Sequence, residues 1–233
     1  TLGHHHYCRG DTVRAIGECR KSEEAYREAG DLHGWASAVQ IVAYALIYQG
    51  RYEPAMEQCR ALVRLGREGG EEQVESWGLA AKGALEWRTG ELEQADRDLR
   101  EAITGLDRVP DHLRAARARA ELARCSLRMG RHAEALNLLK ESASLCERYD
   151  LKGVTVAPLD LALAEARLYR ARGTPRYGVI EDPGLGKALK ACQAAVKTGR
   201  RIPIILPEAL HLAAACHRLR GRNRAASRLW RRG

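Results

Sequence analysis

The sequence predicts an all-α fold, a solenoid of stacked antiparallel helix hairpins. Three observations carry this expectation. A Gly lies five residues before an Ala, between two amphipathic runs, at Gly10/Ala15, Gly50/Ala55, Gly90/Ala95, Gly130/Ala135 and Gly221/Ala226. The first four of these glycines recur every 40 residues, a period typical of repeated helical hairpins. No segment alternates apolar and polar residues as a half-buried strand would.

The spacing has a physical reason. Gly50 follows the run Trp35 to Gln49, where it can end a helix in the left-handed conformation that other residues reach only at a cost. Ala55 then lies one turn inside the next helix. Twelve residues before each such Ala is another small residue, Gly3, Ala43, Gly83, Ala123 or Ala214, in the middle of the preceding helix. Small therefore faces small where the two helices cross. Four residues after the Ala comes a larger apolar group, Cys19, Cys59, Leu99, Leu139 or Trp230, completing a buried i, i+4 stripe.

Taken in order, the chain opens at Thr1 already inside a helix, since Gly3 occupies the mid-helix small position; this points to a piece of a longer protein. A second helix is expected over 11–29, closed by Gly30 and Asp31. Helix pairs follow at 32–49 and 52–68, 71–89 and 92–107, and 111–129 and 132–149. The next hairpin breaks the period: Ala166 and Ala188 stand 22 residues apart instead of 12. Ten extra residues enter the turn, and the Gly- and Pro-rich stretch 173–186 reads as an exposed loop. Pro207 suits a first helical position and opens a last hairpin ending at Trp230. About five and a half hairpins make one elongated domain over 1–233.

Composition supports this class. The chain has 233 residues, 45% of them apolar, and no Phe, so Leu and Ala fill the helices. No apolar run approaches the roughly 20 residues needed to cross a bilayer, and no membrane partner is expected. Seven cysteines show no Cys-x-x-Cys spacing. Cys19, Cys59 and Cys192 occupy the register that Leu99 and Leu139 fill elsewhere, so they are expected to be reduced, buried hydrophobes of a cytosolic protein. Net charge is +9. From Lys187 onward there are 12 Lys and Arg against a single acid, Glu208.

These repeats resemble the tetratricopeptide family, whose hairpins carry small residues in both helices, a Gly at the turn and a bulky group one turn after the second-helix Ala. The resemblance covers essentially the whole chain and implies a right-handed superhelix. The family's repeat is shorter by about one helical turn, and the Pro it often places after the second helix is replaced here by Arg67, Asp107 and Glu147. Longer hairpins of this kind resemble repeats of large bacterial regulators that follow an ATPase, a nucleotide cyclase or a transcription-activator module.

By the same resemblance, first helices line a concave groove. That register puts Ser37, Gln40, Tyr44 and Tyr48 at one end, then Trp77, Trp87 and Arg88, then Arg117, Arg124 and Arg128, then Asp160 and Arg167. An acidic or extended peptide segment, including one from elsewhere in the parent protein, is the expected partner. The Lys and Asn of the family's peptide-carboxylate clamp have no counterpart at these positions. The alternative partner is RNA or DNA on the basic C-terminal segment, through Arg200, Arg201, Arg218, Arg222 and Arg224.

Nothing points to an enzyme, a cofactor or a metal. Asp182-Pro-Gly-Leu-Gly-Lys187 resembles the end of a phosphate-binding loop but has Glu181 where the motif needs Gly and Ala188 where it needs Ser or Thr. His4 and Cys8 stand at i and i+4 with no further ligand at metal-site spacing. No nucleophile, base and orienting group share an arrangement.

Overall fold

The computed structural model describes residues 2–172 and 183–232. The helices are α1 (Leu2–Cys8), α2 (Thr12–Glu28), α3 (Leu32–Tyr48), α4 (Tyr52–Gly69), α5 (Glu72–Thr89), α6 (Leu92–Arg108), α7 (His112–Arg128), α8 (His132–Arg148), α9 (Ala157–Arg172), α10 (Pro183–Arg201), α11 (Leu206–Leu219) and α12 (Asn223–Trp230), with a short 3-10 turn at Pro203–Ile205. The described residues contain no strand. The structure is an all-α superhelical solenoid of six helix pairs among the described residues, and each expected boundary before residue 150 agrees within two residues.

The turns form for the reasons their residues suggest. Gly10, Gly30, Gly50, Gly90, Gly130 and Gly221 all have φ between 68° and 96°, the left-handed region where a Cβ is unfavourable. Asp11, Asp31 and Asp111 cap the helices that follow, each carboxylate accepting a hydrogen bond from the backbone N–H three residues on.

Hairpin crossings match the repeat. Ala15, Ala55, Ala95 and Ala135 are fully buried, as are Ala43 and Ala123 opposite them. A Cβ added to Gly83 would come within 2.6 Å of Leu99 Cγ and 3.3 Å of the Ala95 carbonyl, so the small residue, the Ala and the larger group meet at one point. Trp230 departs from the pattern, at 38% exposure. It is the last residue of a short helix, and no described helix follows to cover it.

Five cysteines are buried, Cys8 and Cys146 are half-buried, and all seven are free. Burial pushes the Cys59 thiol up to about 12, which keeps it protonated and unreactive at neutral pH. Of the stretch expected as a loop, 173–182 lies outside the described residues. Pro183 to Gly186 form the first turn of α10 instead, because Pro is suited to a first helical position and Leu185 is buried there.

The first helices form the inner layer: α3, α5, α7, α9 and α11 contact one another in succession. The superhelix also returns on itself. The turn at Gly10 lies against Pro203 and Ile204, and α1 touches the Pro203–Ile205 turn. One apolar cluster joins Tyr7, Tyr44 and Ile47 near the start to Leu161, Ile204 and Ile205 near the end.

Two glycine substitutions test the packing. A Cβ at Gly66 would overlap the backbone of Glu75, whereas one at Gly17 meets nothing within 4 Å. Urea unfolding should show Gly66→Ala destabilised by about 1–3 kcal/mol and Gly17→Ala stabilised by up to about 1 kcal/mol. Equal effects would contradict the described approach of α4 to α5.

Candidate functional site

One stripe of α7 organises the interior. Arg114, Arg117, Glu121, Arg124 and Arg128 are spaced by three or four residues and so share one helix face. That face meets the aromatic residues of α3 and α5. The Arg117 guanidinium lies 3.5 Å from the centre of the Tyr44 ring and Arg114 lies 3.7 Å from that of Trp77. Arg88, Arg124 and Arg128 all gather on Trp87, at 4.0, 4.5 and 4.2 Å. Such cation–π contacts are strongest where water is excluded, and Trp87 is only 3% exposed.

Carboxylates complete the cluster. Trp87 Nε1 donates to Glu121 Oε2 at 2.9 Å, and Arg88 donates to the same oxygen at 3.0 Å. Arg124 Nε donates to Glu165 of α9 at 2.7 Å, its Nη2 pairs with Glu208 of α11, and Arg128 pairs with Glu165 at 3.0 Å. Burial opposes ionisation of Glu208, but Arg124, Arg88 and Arg128 beside it hold its carboxyl at about 2. Glu121 is likewise held below its usual range, because Arg88, Arg117 and Arg124 outweigh its burial. Burial pushes the Tyr44 hydroxyl up to about 12.

A second network lies along the same layer. Gln40 donates to the Trp77 carbonyl at 3.2 Å and accepts from Arg114 Nε at 2.9 Å. Trp77 Nε1 donates to Asp111 at 2.9 Å, and Arg114 donates to the same oxygen at 3.1 Å.

The groove candidates thus converge, but mostly as buried groups. Gln40, Tyr44, Trp77, Trp87, Arg117 and Arg124 are buried, and Tyr48 and Arg88 are half-buried. The Arg128 side chain is 31% exposed. Arg167 is exposed and lies outside the cluster, while Asp160 accepts a hydrogen bond from Thr198. Sequence reasoning missed Tyr7, Asp111, Arg114, Glu121, Glu165 and Glu208. Two signals were available: the three-four spacing that inserts Arg114 and Glu121 into the arginine stripe, and the isolation of Glu208 in a segment otherwise free of acids.

Arg200, Arg201, Arg218, Arg222 and Arg224 are all exposed, and none of them joins an ion pair among the described residues. No described group of three or more His, Cys, Asp or Glu could hold a metal ion. The expected phosphate-loop remnant falls partly outside the described residues, and its Gly-Lys end is helical. No described helix is long and apolar enough to cross a membrane.

The acid limit of stability follows from the interior carboxylates. Folding lowers the Glu208 pKa, so its ionised form contributes stability above the unfolded value near 4.3 that is lost as pH falls toward about 2. Unfolding measured across that window should show Glu208→Gln with a flatter pH dependence, by on the order of 2 kcal/mol. Superimposable wild-type and variant slopes would contradict the pairing.

Residues 1–176 match the family described as the MalT-like TPR region. No curated protein matches the chain. Among solved structures, the apo form of RapI aligns at a TM-score of 0.70 with 15% identity, over 98% of this chain and 78% of that one. A Rap protein complexed with competence and sporulation factor gives 0.72 at 14% identity, over 99% and 60%. The Pyrococcus horikoshii STAND protein PH0952, which has a tetratricopeptide repeat sensor, gives 0.52 at 15% identity, over 99% of this chain but 35% of that one. At these identities the likenesses show the shared solenoid fold, and the family match covers three quarters of the sequence. The chain belongs to the MalT-like TPR region family.

Proposed function

We propose that this solenoid is a non-catalytic interaction module that recognises an acidic protein or peptide segment on its inner face. The observation that carries the reading is the composition of the interior: among the described residues, Arg88, Arg117, Arg124 and Arg128 face three carboxylates, Glu121, Glu165 and Glu208. A partner carboxylate competes with Glu165 and Glu208 for guanidinium groups held in place over Trp87. Arg forks give such contacts bidentate geometry, and the aromatic surface beneath them contributes affinity. Arg128 is the most open of the four and is where an incoming segment makes first contact.

The comparisons support a regulatory setting. One similar structure is a Rap protein in complex with a factor, and another carries its repeats as a sensor within a much longer signal-transduction ATPase. By analogy, the chain is read as a sensory or regulatory part of a larger bacterial signalling protein in the cytoplasm, whose partner can be another domain of the same polypeptide. A second reading has one specific observation behind it. The five C-terminal arginines are exposed and join no ion pair among the described residues, which leaves their guanidinium groups open to RNA or DNA phosphates.

Fluorescence anisotropy of a labelled Asp/Glu-rich octapeptide separates the two. Binding should weaken with added salt and fall at least tenfold in Arg128→Glu, but persist when Arg222 and Arg224 are both changed to Glu. The reverse pattern, or tight binding of single-stranded RNA lost only in the double variant, would assign the partner to the terminal face.

A further inference from the structure

A cavity of 150 Å³ lies between α1, α3, α5, α7 and the Val154–Thr155 segment that leads into α9. Tyr7, Ser37, Tyr44, Thr155, Arg114 and Arg117 are among the residues lining it, and no Asp or Glu is among them. Arg114 is already engaged, by Asp111 and Gln40. Arg117 is not. It is 5% exposed, and its Nε and Nη2 are both buried without a hydrogen-bond partner. The Tyr7 hydroxyl is buried close to Arg117 and, like that edge, makes no hydrogen bond of normal length.

These two nitrogens form the side-on edge of the guanidinium, whose parallel N–H groups match the two oxygens of a carboxylate. The ring of Tyr44 occupies the flat face of the same group, 3.5 Å away, so the edge is what remains for hydrogen bonding. Glu121, one turn along α7, accepts instead from Trp87 and Arg88. A buried guanidinium edge left unpaired is costly, and an anion reaching it from the cavity removes that cost.

We propose that this cavity binds a small monocarboxylate, with the carboxylate on the Nε/Nη2 edge of Arg117 and the hydroxyl of Tyr7 as a further donor. Its volume sets the size. At roughly 30 Å³ per water the space holds about five waters, which suits an acid of about two to four carbons and excludes a folded peptide. The site draws on α1, α3, α7 and the segment before α9, so the ligand bridges elements that lie up to about 150 residues apart in the chain. It shares Arg117 with the acidic-segment reading, but it uses the Tyr44 side of the interior, whereas that reading takes its first contact at Arg128 beside Trp87.

The test is thermal unfolding of the full chain with sodium acetate and sodium butyrate, each against sodium chloride of equal ionic strength. The expected result is a saturable rise in Tm with either carboxylate. That rise is lost in Arg117→Met and weakened at least tenfold in apparent affinity in Arg117→Lys, which keeps the charge but not the fork. Ser37→Leu, which fills cavity volume without removing charge, also loses the rise and serves if the Arg117 variants fold poorly. Arg128→Glu, which tests the acidic-segment reading, keeps it. The proposal is overturned if chloride matches the carboxylates, if no rise occurs, or if Arg117→Met retains it. A rise with a capped Asp-containing tetrapeptide but with neither free acid also overturns it, by assigning the edge to a peptide side chain.

Discussion

Arg124 has 1% of its surface exposed, and a guanidinium so deeply buried is costly unless carboxylates come to it. They come from two helices far along the chain, Glu165 on α9 and Glu208 on α11, the latter 84 residues away. Removing either acid leaves a buried charge with half its partners. Because the repeats contact mainly their neighbours, local packing alone would leave the curvature of the stack loosely determined. The ion cluster adds a long-range constraint, and the Gly10 turn against Pro203 and Ile204 is the apolar counterpart of the same closure.

The repeat and the cluster serve different ends. Small residues at each crossing let paired helices approach and bury a continuous apolar seam, which sets the fold. The inner stripe of α7 adds nothing to that seam, and a helix built only for packing would carry apolar residues there. Its five charged side chains, layered over Tyr44, Trp77 and Trp87, instead make the interior an ion cluster tied to α9 and α11.

The fold was legible because its determinants are local and repeated. The Gly at each turn, the Ala one turn later and the Asp caps each act within a few residues, and a 40-residue period multiplies the signal. The site was legible only in part. Arg117, Arg124 and Arg128 could be placed on an inner face by register, and they lie there. That they are buried, and by which acids, depends on how tightly the superhelix closes, a sum of small rotations between repeats that no local motif encodes. Glu165 looks like any helix-surface acid in sequence. Glu208 differs only in being alone among basic residues, and its reach to Arg124 appears only once α11 is brought round beside α7 and α9.

The central claim is that partners act on the inner face of the superhelix. Amide hydrogen exchange of the full chain, with and without a saturating Asp/Glu-rich peptide, tests it most directly. The account predicts changed protection along α7, α9 and α11, with α12 and its exposed arginines unaffected. Changes confined to 218–232, with α7 untouched, would contradict it and place recognition on the basic terminal face.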